Sequence, residues 1–181
     1  MAHFRRALCA VLAAGALVAC SPQPAASPTP SPSSSPTPSP AASEQALFAE
    51  AERVFTAQYA ALLKYSAQGG ADSLPAEFNQ WLAGTYRGER EQLLRTIKVT
   101  GYRYLGPAPV IEVIPAPGLV FQDSEIAIAS CVDGRKSRVK YGDGRTANGD
   151  VSVHTSFLKR FDGVLKIFEN RIERVQECPA R

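Results

Sequence analysis

The chain has 181 residues, 20 of them basic and 17 acidic, for a formal net charge of +3. So small an excess gives no electrostatic grip on nucleic acid, which is not expected as a partner. With only two histidines and four cysteines, the chain is also poorly supplied for a metal centre, and no metal or cofactor is expected. It opens with Met1 and the basic pair Arg5-Arg6, and residues 7–19 then contain only Ala, Leu, Val, Gly and one Cys. A membrane-spanning helix needs about 20 apolar residues. The run is too short for that and has the build of a cleaved export signal.

The run ends in Leu17-Val18-Ala19-Cys20, which resembles the lipobox of bacterial lipoproteins. The resemblance implies that residues 1–19 are removed and that Cys20 receives diacylglyceryl and acyl chains such as palmitate. The chain is then expected on the extracytoplasmic face of the cell membrane, with the lipid anchor as its membrane contact. Each buried acyl methylene contributes about 0.8 kcal/mol, so two or three chains hold a protein there almost permanently. Loss of residues 1–19 also removes Arg5 and Arg6, leaving 18 basic against 17 acidic residues.

Residues 20–42 form the next segment, nearly all Pro, Ser, Thr and Ala, with eight of the fourteen prolines. It cannot build a core. It is expected to be a disordered, extended tether reaching at most roughly 70 Å at about 3.1 Å per residue. Residues 43–181 then have the usual size of one domain with its own core. With Cys9 in the signal and Cys20 lipidated, only Cys131 and Cys178 remain, and an oxidising compartment predicts a disulfide between them.

Ser43 and Glu44 have the chemistry of a helix start, and Leu47, Ala51, Val54, Phe55, Gln58, Leu62 and Tyr65 follow at helical spacing until Gly69-Gly70. Asp72-Ser73-Leu74-Pro75 predicts a second, short helix carrying Phe78, Trp81 and Leu82, and Thr85 a third carrying Leu93, Leu94 and Ile97. After Gly101 the residues become strand formers punctuated by Pro107, Pro109, Pro115 and Pro117. Residues 125–132 predict a buried strand closed by Asp133-Gly134. Val151, Val153, Thr155 and Phe157 alternate with Ser152, His154 and Ser156 in a half-buried strand, and residues 164–171 return beside it across Asp162-Gly163.

Helices first and strands after them predict an α+β domain, three N-terminal helices packed on a curved antiparallel sheet. The order, the length and residues 84–109 resemble the nuclear-transport-factor-two-like fold, the cystatin-like cone shared with ketosteroid isomerase and limonene epoxide hydrolase. Gly84-Thr85-Tyr86, then Gly101-Tyr102-Arg103-Tyr104-Leu105-Gly106-Pro107, Cys131-Val132-Asp133 and a late Cys178 are similar to lipoproteins of unknown function from actinobacteria. Val164-Leu165 stands where that pattern carries a tryptophan.

A cone of that kind encloses a pocket, expected here to be lined by Phe55, Tyr59, Trp81 and Phe157. His154, opposite the apolar members of its strand, is expected on the outer face. Of the acids Glu112, Asp123 and Glu125, only Glu125 shares the Ala127-Ala129-Cys131 side and is a candidate for entering the pocket as a base. The Asp-Gly pairs are turns and lack the ligand spacing of a calcium loop. Arg135, Lys136, Arg138 and Lys140 form one basic cluster, whose alternation suits an exposed edge strand. No nucleophile elbow occurs.

The sequence therefore predicts a lipid-anchored, non-catalytic binding or accessory module of the cell envelope, its partner an envelope protein. Two alternatives stand beside it. One is a carrier of a lipid or small apolar ligand in the cone; the other is an isomerase- or hydratase-like enzyme, which needs an acid or Tyr buried beside a second polar group. A Cys20→Ala variant is expected to stay unlipidated and to leave the membrane fraction; unchanged membrane association on fractionation refutes the anchor.

Overall fold

The computed structural model of the protein describes residues 40–179. The expected signal segment, Cys20 and the rest of the chain up to residue 39 lie outside the described residues.

Helix α1 runs Pro40–Gln68, so helix is already present ahead of Ser43, inside the segment expected to be tether. Its buried stripe of Ala51, Val54, Phe55, Gln58, Ala61, Leu62 and Ser66 keeps the expected helical spacing. Gly69 and Gly70, both at positive φ, terminate it as expected.

The predicted second helix is a single 3-10 turn, Ala76–Gln80. It cannot lengthen, because the chain beyond it is claimed by a strand: Ile167 donates to the Trp81 carbonyl and Ala83 donates to the Ile167 carbonyl, both at 2.9 Å. Phe78 is fully buried from this turn. Helix α2 follows, Gly84–Thr100, burying Tyr86, Arg90, Leu94 and Ile97 along one face. Gly101 caps it in the left-handed conformation at φ 67°.

Seven strands complete the described residues: β1 (Arg103–Leu105), β2 (Val110–Pro115), β3 (Ile126–Asp133), β4 (Arg138–Lys140), β5 (Thr146–Asn148), β6 (Val151–Phe161) and β7 (Val164–Val175). They form two antiparallel sheets, β2-β3-β6-β7 and β1-β4-β5. The domain is thus α+β with helices ahead of antiparallel strands, as expected, but among the described residues it has two α-helices in place of three and two sheets in place of one. The basic residues Arg138 and Lys140 stand on β4, which is the central strand of the small sheet and not an edge; Val139 between them is buried. Asp162 and Gly163, both at positive φ, make the two-residue hairpin between β6 and β7 that the sequence predicts.

Register decides which side chains meet the helices. Eight consecutive residues of β3 pair with β6, from Ile126 opposite Leu158 to Asp133 opposite Val151. Ile126, Ile128 and Val132 of β3 and Leu158 of β6 join Phe55, Leu62, Leu94, Ile97, Leu165 and Ile167 in the main core. Ala127, Phe157 and Phe168 point the other way, into a smaller cluster covered by Phe121 of the β2–β3 loop. A register shift between Phe157 and Leu158 places Phe168 on that outer side while Ile167 stays within.

Cys131 and Cys178 form the expected disulfide, with Cα atoms 5.7 Å apart and a sequence separation of 47. Cys131 belongs to the outer parity of β3, so the chain beyond β7 passes back over β6, and Val153 and Pro179 line one small cleft with Cys131. No helix among the described residues is long and apolar enough to cross a membrane. Closing a loop of this size removes unfolded-state entropy worth about 4 kcal/mol. Reduction, or a Cys131→Ser/Cys178→Ser double variant, is therefore expected to lower unfolding stability by about that amount in urea titrations.

Candidate functional site

The parity that turns Ile128 and Leu158 toward the helices turns Ser130, Ser156 and His154 the same way. Side chains alternate along a strand, and Ser130 lies directly opposite His154 in the ladder. Ser130 and Ser156 are fully buried and His154 is 5% exposed. This overturns the expected position of His154 on the outer face: its ring packs edge-on against Phe55 and Tyr59 of α1, with centroids 5.6 and 5.7 Å away. The alternation itself is correctly predicted; the polar series is the one that faces inward.

Helix α1 contributes Gln58, which lies between Phe55 and Leu62 on the buried face and is fully enclosed. Helix α2 contributes Tyr86 and, one turn on, Arg90, 2% and 6% exposed. Arg90 Nη2 donates to the Tyr86 hydroxyl, and its guanidinium carbon stands 4.5 Å from the Tyr86 ring centroid. Ser156 donates to Asn170 Oδ1 of β7 at 2.8 Å, and Ser152 Oγ lies 3.1 Å from His154 Nε2.

Several of these groups have no hydrogen-bond partner in the protein: both amide atoms of Gln58, Arg90 Nε, Ser130 Oγ, His154 Nδ1 and Asn170 Nδ2. They come from α1, α2, β3, β6 and β7. Buried polar atoms are nearly always paired, and each unpaired one costs about 1–3 kcal/mol. So many in one interior set it apart from an ordinary core.

The titratable members hold single protonation states near neutrality. Burial, with the positive charge of Arg90 adding to it, pushes the His154 imidazole down to about 4. Burial pushes the Tyr59 phenol up to about 12 and raises Tyr86 as well. The interior therefore offers neutral donors and acceptors around one cation.

Of the residues expected to line a pocket, Phe55 and Tyr59 do face this interior. Trp81 sits at its border, edge-on to Phe78. Phe157 does not; it belongs to the outer cluster with Phe121 and Phe168. Glu125 is exposed, accepting from the Arg160 backbone amide at 2.7 Å with Arg160 Nε 3.6 Å away, so the expected entry of Glu125 into the pocket is corrected by the same inversion of faces. Asp123 is exposed and paired with Lys159 at 2.6 Å, and Glu112 lines the small outer cleft beside Cys131. Among the described residues no group of three or more His, Cys, Asp or Glu could hold a metal ion. Sequence reasoning missed Arg90, Tyr86 and Ser130. A signal for Arg90 existed, since it sits four residues from both Tyr86 and Leu94, on the stripe that α2 buries.

A separate groove of about 660 Å³ lies outside this interior, between the start of α1 and the β2–β3 loop, with Leu47, Phe48, Leu119, Val120 and Ile126 in its walls. No family model, curated protein or solved structure matches this chain.

His154 gives a pH test with a defined sign. A histidine depressed in the folded state takes up its proton first in the unfolded chain, so its effect on stability is nil above about pH 6.5 and destabilising below. As pH falls from about 6.5 to about 4 the loss is expected to approach about 3 kcal/mol. Urea titrations across that range are expected to show this slope in the native protein and not in His154→Gln, and the imidazole resonance should titrate near 4.

Proposed function

We propose that this chain is a lipid-anchored lipoprotein of the cell envelope, and that its domain is a non-catalytic binding module with a nuclear-transport-factor-two-like cone. In this reading a small polar molecule occupies the interior between the helices and the β2-β3-β6-β7 sheet. Three observations support the address and the fold: the Leu17-Val18-Ala19-Cys20 sequence, the Cys131–Cys178 disulfide, which belongs to oxidising compartments, and the sequence of helices followed by antiparallel strands.

The observation that carries the binding reading is the set of buried, unpartnered polar groups on Gln58, Arg90, Ser130, His154 and Asn170. Folding alone gains nothing from them, since apolar groups of the same size would fill the same space without the desolvation cost. A bound molecule that pairs with them removes that cost. Binding is favoured over catalysis because the interior, among the described residues, holds no carboxylate, and its imidazole, with a pKa of about 4, is a weak base. A buried Tyr beside Arg90 does meet the minimum that an isomerase-like enzyme needs, yet the raised pKa of Tyr86 makes its phenol a hydrogen-bond donor and a poor base at neutral pH.

The apolar-carrier alternative draws its support from elsewhere, the groove walled by Leu119 and Val120, which are 51% and 73% exposed. Native mass spectrometry of the intact lipoprotein, extracted from its own membrane in mild detergent, separates the readings. The expected result is a small-molecule adduct that disappears in a Gln58→Leu/Ser130→Ala variant, while that variant is at least as stable as the native protein, by about 1–3 kcal/mol if both polar groups are costly. An adduct of acyl-lipid mass that survives the double substitution turns the assignment to the groove. No adduct at all overturns the binding reading.

A further inference from the structure

Arg90 differs from the other polar groups of the interior in carrying a fixed charge. It is the one arginine among the buried described residues, and the buried set includes no lysine and no carboxylate to accompany it. No carboxylate lies within ion-pair distance of it among the described residues. Several exposed arginines are matched: Arg95 with Glu91, Arg135 with Asp133, Arg145 with Asp143, Arg160 with Glu50 and Arg174 with Asp150. These are surface pairs, where water alone would suffice. The one guanidinium taken out of water has no anion beside it.

A buried charge is stable when something of opposite sign is buried with it; uncompensated, it costs several kcal/mol even after relaxation. The local partners fall short of that. The Tyr86 ring offers its quadrupole and its hydroxyl one acceptor, but neither carries a negative charge, and Nε remains without a partner. Every other group around the interior that could share the charge is neutral: Gln58 and Tyr59 from α1, Ser130 from β3, His154 from β6 and Asn170 from β7.

Resting on the binding reading above, we propose that the ligand of this interior is a small organic monocarboxylate, bound through Arg90 as its charge partner. A guanidinium presents a planar fork of donors that matches the two oxygens of a carboxylate. Phosphate offers oxygens of similar spacing, but carries up to two charges against a single buried cation and would leave one uncompensated. The unpartnered donors of Ser130, Gln58 and Asn170 can serve a carboxylate oxygen or a polar substituent of the same molecule. The aromatic and aliphatic side chains around them, Phe55, Tyr59 and Ile128, suit the carbon skeleton. Tyr86 holds the guanidinium by the contacts already described and is a positioning residue.

The test uses the intact lipoprotein in detergent micelles, labelled with 15N at arginine, and three probes: sodium benzoate, its neutral isostere benzamide, and inorganic phosphate. Titration with benzoate is expected to shift the Arg90 Nε–H resonance in a saturable way, with affinity on the order of millimolar, as befits a fragment of few atoms. Benzamide and phosphate are expected to bind at least tenfold more weakly. Benzoate is also expected to raise the thermal midpoint of the native protein and to leave Arg90→Met unmoved. Arg90→Met should fold, because exchanging a buried ion for an apolar side chain of similar length is often neutral or stabilising. Arg90→Lys, with the charge but not the fork, is expected to bind benzoate more weakly than the native protein. Should either variant fail to fold, the resonance of the native protein still decides.

Equal binding of benzoate and benzamide overturns the charge-pairing inference while leaving a polar-ligand module intact. Preference for phosphate overturns the carboxylate class. A resonance that no probe moves overturns the inference, and if the extracted lipoprotein also carries no adduct, the binding reading falls with it.

Discussion

Everything distinctive about this domain follows from the parity of one strand pair. β3 and β6 are matched over eight consecutive residues, so the choice that buries Ile128 and Leu158 against α1 and α2 also buries Ser130, Ser156 and His154. A slip of one residue in either strand would exchange the faces completely. The opposite choice would put Ala127, Ala129, Cys131, Thr155 and Phe157 inward, a series with smaller side chains on β3 and no room-filling partner for Phe55 and Leu62. Volume has taken precedence over polarity. The large aliphatic residues at one end of the strands fix the face, and the polar residues at the other end are carried in with them.

This is also where the sequence stopped being readable. Where local chemistry determines the conformation, the expectations hold: the buried stripe of α1 with its Gly69-Gly70 end, the two-residue turn at Asp162-Gly163, the strand preceding Asp133, and the pairing of Cys131 with Cys178. The second helix failed because a distant strand competes for its residues, through the bonds between Ile167 and the backbone of Trp81 and Ala83. No window of neighbouring residues contains that information. The face of β6 was misassigned for a related reason. The rule that apolar residues point inward presumes one wet face, and here the outer face is covered as well, by Phe121 and by the chain carrying Cys178. With both faces occupied, polarity no longer reports direction. His154, Phe157 and Glu125 were all misplaced by that single presumption.

The interior that results has an uncommon electrostatic character. Its imidazole and phenols keep their neutral forms through the physiological range, and one guanidinium supplies a constant positive charge. Nothing in such a set exchanges protons readily at neutral pH, yet it offers donors from two helices and three strands, positioned by rigid elements instead of loops. The proposed binding function rests on that combination. It also explains why a search for catalytic signatures in the sequence finds so little: the residues concerned are Gln, Ser, Arg and Asn, which carry no motif and gain their meaning only from being enclosed.

The disulfide has a consequence beyond the entropy it removes. A sheet of order β2-β3-β6-β7 has two outer strands from which it can unzip, and β7 is the longer of them. Because the chain leaving β7 is tied back to β3 across β6, β7 cannot peel away while the bond is intact. Opening must start at β2, whose ends carry Pro109 and Pro115. The bridge therefore sets the direction in which the native state comes apart, and with it the lifetime of the fold against proteolysis.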